Sequence, residues 1–385
     1  MTEPLFIHVS GTPEARGRRY GALARERILK NLAFYADMFE KGWDVPWAKA
    51  AMLAQSFIPH IEAHFPEGLL EMRGIAEGAG VAFEDILTLN CRSEILFAQP
   101  DGCSVFGVLP ERSENGHTWL AQTWDWLRPA GDATVVLRID QVQKSEEGKE
   151  GEEGGEGEEP EADGRSAQSA QSAHPDRPSL LMVVEAGMIG GKGMNSAGIG
   201  VCLNATSVGR GRTGMPLHVL YRMILNAPTV SNAFEAVARA RRAGAGTFNL
   251  GAAEGFLMSV EFTPDAVDVL MAEDEPLTHT NHYLSPLFRG EDALKSELGC
   301  TWVRLNRLRR LGRLHPEGFG RDSILEVLSD HANHPDSICS HEDPADPEFR
   351  RMVTVYAMVM DLTERRMWVT EGNPCEGKVR AYGFE

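Results

Sequence analysis

A change of hydrophobic rhythm at residue 103 limits what this chain can fold into. Before it, apolar residues recur at helical spacing; after it, they come in short β-branched and aromatic runs separated by turn residues. Thr12-Pro13 reads as an N-cap followed by proline at the first helical position. Ile28, Leu32, Tyr35 and Phe39 continue with helical periodicity. A second helix is predicted over 47–65 with an interruption near Pro59, a third over 69–76, and a short fourth over 83–89 that ends in NCRSE. The first hundred residues thus read as helical. From Cys103 onward CSVFGVLP, HTWLAQTWDW, ATVVLRID, LLMVVEAG and GMNSAGIGVCLNATS read as strands. Helices follow over 216–226 and 230–240, then two or three strands in FNLGAAEGFLMSVEFTPDAVDVLMA, a helix over 302–314, and a closing hairpin of 354–361 with 366–370. Helices, strands, helices and strands in that order suit a layered α+β sandwich.

The 385 residues allow one large domain or two ordinary ones, and 42% apolar content supplies a full core. The formal charge of −18 argues against nucleic acid or an anionic membrane as the main partner. Residues 144–164 carry ten acidic side chains and two lysines, so −8 of that charge lies there and −10 elsewhere. The wider segment 144–178 is almost free of apolar residues and is expected to be a disordered acidic insertion between two strands. The N-terminus has no basic start followed by an apolar run, and no stretch approaches the roughly 18–20 apolar residues of a membrane span. A cytoplasmic location is therefore expected. The six cysteines are scattered without a C-x-x-C pair, a poor pattern for zinc and a thin one for disulfides, so no metal site is expected.

The chemically informative spot is Gly102-Cys103, where the rhythm changes. An internal cysteine can attack the carbonyl before it, and a glycine on the leaving side tolerates unusual dihedrals and leaves room for the attack. An N→S acyl shift followed by hydrolysis frees an N-terminal cysteine that carries nucleophile and base in one residue. An α-amino group with a pKa near 8 suits that second role.

Around this spot the sequence resembles the acyl-coenzyme A:6-aminopenicillanate (isopenicillin N) acyltransferases of the N-terminal-nucleophile hydrolase superfamily. The matching stretches are SGTPEARGRRYG, FPEGLLEMRGIAEGAG, EDILTLNCRSE, DGCS, QTWDW, EAGMIGGKGMNSAGIGV, LNAT, GMPLHVLYRMIL, VEFTP, THTNHYL and SIC, in order along the chain. Only the acidic insertion and the extreme C-terminus lack counterparts. The resemblance implies a four-layer αββα sandwich and self-cleavage into 1–102 and 103–385, the two pieces staying together as an αβ heterodimer. It implies Cys103 as nucleophile, Asp125 as the carboxylate that orients its thiol and new amine, and Asn281 as an oxyanion donor worth about 3–4 kcal/mol. Asn204 is read equally well as a pocket hydrogen-bonding residue or a strand end. Trp126, His282 and Ser340 are possible substrate-contacting or supporting residues, His282 being the more natural structural histidine because the N-terminal amine already supplies a base. The Arg-rich WVRLNRLRRLGRL is read as a solvated helix face, with a site for coenzyme A phosphates as the other option. Substrates would be small amides or acyl-CoA thioesters. No metal or redox cofactor is implied, and coenzyme A would enter only as part of an acyl donor.

Three departures narrow the expectation. Ser340 followed by His341 stands where the penicillin enzyme has arginine after SIC, and Val105 replaces a hydroxyl residue two places after the nucleophile. The ending Tyr382-Gly383-Phe384-Glu385 is not a peroxisomal tripeptide. They favour a relative with another substrate, and the first two also suit the alternative of an uncleaved, non-catalytic binding or regulatory protein.

Overall fold

A computed structural model describes residues 3–96, 102–141, 177–294, 299–347 and 351–385. The acidic insertion expected over 144–178 lies outside the described residues except for its last two. The chain opens with strand β1 (Leu5–Ser10), then helices α1 (Pro13–Leu23), α2 (Arg25–Trp43), α3 (Trp47–Ala54), α4 (Ile58–His64), α5 (Pro66–Ala79), α6 (Phe83–Asn90) and α7 (Arg92–Leu96). Strands β2 (Gly102–Val108), β3 (Trp119–Leu127), β4 (Thr134–Asp140), β5 (Leu180–Glu185), β6 (Lys192–Asn195) and β7 (Ile199–Asn204) follow. Helices α8 (Leu217–Leu225) and α9 (Val230–Ala238) lead into β8 (Gly246–Ala252), β9 (Phe256–Phe262), β10 (Val267–Met271) and β11 (Leu277–His279). The chain ends through α10 (Gly299–Leu311), α11 (Arg321–Leu328), β12 (Met352–Asp361), β13 (Arg366–Thr370) and β14 (Val379–Tyr382).

Two sheets stack at the centre. One has the order β1-β4-β5-β6-β7-β8-β9-β10, the other β11-β2-β3-β12-β13-β14. Helices α1, α8 and α9 cover the first, α10 and α11 cover the second, and the sheets meet through β7 against β2 and β3. The result is the expected α+β arrangement of four layers, αββα. Because both faces of β2 are covered, its residues are buried without alternation. Cys103 and Val105 point into the large inter-sheet core, while Phe106 and Val108 join Leu308, Phe319, Ile324 and Val327 in a smaller core under α10 and α11.

The first hundred residues are not wholly helical. LFIHVS forms β1, burying Ile7 and Val9 at period two, and pairs in parallel with β4 from Leu5↔Val135 to Ser10↔Asp140. The segment before Cys103 is thereby joined to the sandwich on which the cysteine sits. Its glycine motifs serve packing. A Cβ at Gly17, Gly21, Gly74 or Gly78 would come within 2.0–2.3 Å of a carbonyl oxygen on the facing helix, so GRRYG of α1 and RGIAEG of α5 permit backbone-to-backbone contact. The expectation also lacked β11, α11 and β14, all short.

Candidate functional site

Cys103 is the second residue of β2, a strand flanked on both sides within its sheet, and it is fully buried. Its backbone is held at both ends. The amide N–H donates to Asn281 Oδ1 at 2.9 Å. The carbonyl oxygen accepts from Arg304 Nη1 at 2.7 Å and Asn204 Nδ2 at 3.1 Å.

Asn281 reaches this position through β11. The β11–β2 ladder ends at His279↔Val105, and two residues further along the same register Asn281 comes level with Cys103. The short β11 is fixed from the other sheet by Glu261, fully buried, which accepts His279 Nε2 at 2.9 Å and the amides of Leu284 and Ser285. The motifs VEFTP and THTNHYL are thus coupled structurally. Asn281 Oδ1 also accepts Arg304 Nη2 at 2.9 Å, and because a guanidinium can only donate, the atom facing it must be the oxygen. Its Nδ2 donates to Ala205 O at 3.2 Å. The carboxamide therefore offers its oxygen to Cys103, whereas the expected oxyanion role needs its nitrogen.

Asn204 is the last residue of β7, and its side chain lies beside Cys103. Its Oδ1 accepts Asn249 Nδ2 at 2.8 Å, and Asn249 Oδ1 accepts the Ser259 hydroxyl at 2.7 Å. This ladder across β7, β8 and β9 leaves Asn204 Nδ2 as the donor facing Cys103 O.

On the other side of β2, Asp125 of β3 lies opposite Gly102. A side chain at 102 would put its first carbon 2.8 Å from both Cβ and Oδ2 of Asp125, so glycine is required here for room. Asp125 Oδ1 accepts the Thr354 hydroxyl at 2.6 Å, and Thr354 Oγ1 accepts the Ser340 amide at 2.8 Å. The register of β12 shifts between Thr354 and Tyr356, and a bulge of this kind re-aims a side chain beside a site. Ser340 thus supports Asp125 through its backbone, with no guanidinium in the position it occupies.

Two candidates stand apart from these contacts. Trp126 is buried on the same face of β3 as Trp124, which pairs with Cys103, and its Nε1 has no partner among the described residues. His282 packs against Trp302 in a tilted arrangement, 3.7 Å between ring centroids, and its Nδ1 lies 2.8 Å from Thr301 Oγ1. Burial, reinforced by His279 and nearby arginines, pushes its pKa down to about 3, so its ring is neutral.

The residue missed by sequence reasoning is Arg304. The Arg-rich helix was read as a solvated face, yet Arg304 is only 3% exposed and its hydrogen-bond acceptors are Cys103 O, Asn281 Oδ1 and the Ser104 hydroxyl at 3.0 Å, all neutral oxygens, with a weaker contact to Cys300 Sγ. The signal was present in the pattern. Thr301, Arg304, Leu305 and Leu308 are the buried residues of α10 and follow the i, i+3, i+4, i+7 stripe, so this arginine occupies an apolar-face position.

The αββα sandwich thus sets a cysteine at the head of a buried strand, with two asparagines, an arginine and an aspartate around its backbone. A family described as acyl-coenzyme A:6-aminopenicillanic acid acyl-transferase matches residues 159–376, more than half of the chain, and the chain belongs to that family. It is 26% identical over 379 residues to the acyl-coenzyme A:6-aminopenicillanic-acid-acyltransferase 40 kDa form of Emericella nidulans, covering 96% of this chain and 93% of that one. Solved structures with some likeness include penicillin V acylase from Agrobacterium tumefaciens (14% identity, 73% of this chain and 86% of that one, TM-score 0.43). Another is a mutant form of conjugated bile acid hydrolase from Clostridium perfringens (10% identity, 74% and 97%, TM-score 0.44). No helix among the described residues is long and apolar enough to cross a membrane.

Proposed function

We propose that this chain is a self-processing cysteine acyltransferase or amidase whose nucleophile is Cys103. The observation that carries the reading is the clamp on the Cys103 backbone by Asn281, Asn204 and Arg304, with Asp125 packed against Gly102. In the first stage the Cys103 thiol attacks the Gly102 carbonyl carbon and the peptide nitrogen takes a proton and leaves as the Cys103 amine. Water then cleaves the resulting thioester, releasing residues 1–102 with a new carboxylate. The two pieces stay associated through the β1–β4 pairing and the helix packing.

In the second stage Asn281 Oδ1 holds the freed amine where it once held the amide. The Arg304 cation, held on Cys103 O and Asn281 Oδ1, stabilises the negative charge that develops on the thiol as its proton passes to the amine. The thiolate attacks an acyl donor, either an acyl-CoA thioester with loss of coenzyme A or an amide with loss of its amine. The acyl-enzyme is then resolved by an amine acceptor or by water. Asn281 Nδ2 can serve the oxyanion once it exchanges its bond to Ala205 O for the developing charge, and Trp126, buried on the same face of β3 as Trp124, is the proposed support for the acyl chain. The cytoplasm is the proposed location. No step needs a metal or redox cofactor, and coenzyme A takes part only as a portion of the substrate.

The test is intact mass and N-terminal sequencing of the purified protein beside a Cys103→Ala variant. Wild type should give 1–102 together with a fragment beginning CSVFG, and the variant one uncut chain. Phenylacetyl-CoA supplied with 6-aminopenicillanate, and separately with simple N-acyl amides, then distinguishes transfer from hydrolysis by product mass. A wild-type chain that stays whole and inert would favour the non-catalytic binding protein, a reading that the complete burial of Cys103 makes worth testing.

A further inference from the structure

Far along the chain from Cys103, four side chains from three segments converge. Among the described residues, His331 after α11, Cys339 and His341 before β12, and Cys375 between β13 and β14 present ligand atoms that all lie within 4.8 Å of one another. The individual distances are 3.1 Å between His331 Nε2 and His341 Nε2, 3.5 Å between Cys339 Sγ and Cys375 Sγ, and 3.6 Å from each sulfur to His341 Nε2. Zinc bonds of about 2.3 Å to sulfur and about 2.0 Å to nitrogen at the tetrahedral angle place two sulfurs about 3.8 Å apart, two nitrogens about 3.3 Å, and a sulfur–nitrogen pair about 3.5 Å. These four edges agree with those values to within about 0.3 Å, and the two from His331 to the sulfurs lie within 4.8 Å.

Hydrogen bonding alone explains the cluster poorly. His341 Nε2 has three neighbours, His331 and two sulfurs, but one ring nitrogen has a single proton or a single lone pair to share. Ligands arranged around one cation have no such limit. We propose that His331, Cys339, His341 and Cys375 form a closed structural zinc site. Two thiolates and two imidazoles are a borderline-soft set suited to zinc, and four protein ligands leave no open position for a substrate. Binding releases the two thiol protons and leaves the site neutral. Asn373 Nδ2, 3.4 Å from Cys339 Sγ, supplies the kind of N–H donor that orients a thiolate ligand.

The site has a structural consequence. Ser340 lies between two of the ligands, and its amide and carbonyl hold Thr354 through Thr354 Oγ1 and Thr354 N, while Asn373 also donates to its carbonyl. Thr354 in turn holds Asp125. Zinc would therefore fasten the segment 331–341 to the C-terminal hairpin and steady the strand position that carries Thr354.

The experiment uses the full chain without a histidine tag, produced in zinc-supplemented medium and purified under reduction without chelator. Elemental analysis should find about one zinc per chain. Cobalt(II) replacing it should give thiolate charge-transfer bands and intense visible bands of a tetrahedral ion. Cys375→Ser should lose both signals, His331→Cys should keep zinc because it still offers four ligands, and His334→Ala should keep it because that ring is only a neighbour at 5.2 Å from His341. Wild-type protein with less than a tenth of an equivalent of zinc and no cobalt spectrum would overturn the proposal. So would a Cys339–Cys375 disulfide in protein as first isolated, before any chelation, or loss of zinc in His334→Ala with retention in Cys375→Ser.

Discussion

Two buried arginines, on helices in opposite outer layers of the sandwich, are accommodated in contrasting ways. Arg222 of α8, fully buried, makes a two-pronged pair with Glu71 of α5 at 2.9 Å on each arm, and Arg16 of α1 joins the same carboxylate at 2.7 Å. Arg304 of α10 has comparable burial, but its hydrogen bonds go to neutral oxygens on Cys103, Ser104 and Asn281. A guanidinium matched by a carboxylate locks three helices and adds little net field nearby. One that hydrogen-bonds only to dipoles, with the Asp336 carboxylate interacting without a hydrogen bond, keeps more of its charge acting on its surroundings, which is costly for folding and useful beside a nucleophile. The first arrangement belongs to the scaffold, and the second belongs to the candidate site.

Substitutions can break or sharpen that contrast. The largest effect should come from Cys103→Ala, which removes the group Arg304 faces. Self-cleavage should stop, and acyl transfer or hydrolysis should fall by about a thousandfold or more, measured as product formation. Arg304→Met should follow, lowering turnover by about a hundredfold with the chain still folded. Because the cation favours the thiolate, its loss should move the acid limb of the rate profile to higher pH, and an unmoved limb would count against a role in chemistry.

Glu71→Gln should do the reverse. It leaves two guanidiniums without their carboxylate, costing about 3–5 kcal/mol in denaturant unfolding, while any activity of the folded fraction persists. The pH dependence supports the same division. Burial raises the Glu71 pKa, but Arg222 and Arg16 lower it by more, leaving it below its ordinary value of 4.5. Its stabilisation is fully present above that value and is lost as pH falls through the folded-state pKa. Unfolding midpoints measured on acidification should drop in wild type and change less in Glu71→Gln.

A smaller effect is expected at Glu94 of α7. Its Oε1 accepts the Leu217 amide at 2.7 Å, and burial pushes its pKa up to about 7. The folded protein then holds a proton that the unfolded chain releases, so this term is present below the ordinary carboxylate pKa and is lost as pH rises through 7. Glu94→Gln should stabilise the protein at pH 8 relative to pH 5 by about 2 kcal/mol. The smallest effect should be at His282, already neutral. His282→Asn should leave the pH profile of turnover unmoved, whereas a shift would give that ring a role that its contacts do not support.

Much of the fold was legible because periodicity is local. The long amphipathic helices and the buried strands of both sheets announce themselves within ten residues. β1 escaped because six residues with two inward side chains look like a leader to the helix behind them, and only pairing with β4 makes them a strand. Among the site residues, Cys103, Asp125, Asn204 and Asn281 were legible through the motifs around them. Val105, one of the departures, fills inter-sheet core, and Ser340 acts through its backbone, which no side-chain comparison could reveal. Arg304 was hidden because a basic helix reads as solvated unless the position of each arginine on the apolar stripe is checked.

By itself the sequence determined the layer order, the placement of a Gly-Cys pair at the head of a buried strand, and the set of polar residues available to it. Those follow from hydrophobic pattern and from motifs short enough to be read in place. Tertiary structure decided which atom of Asn281 faces Cys103, that buried Arg304 gives its hydrogen bonds to neutral oxygens, and that two cysteines 36 residues apart meet two histidines. The physical reason is that hydrogen-bond direction and ligand convergence depend on distances across the sandwich, and residues remote in the chain acquire those distances only when the layers pack.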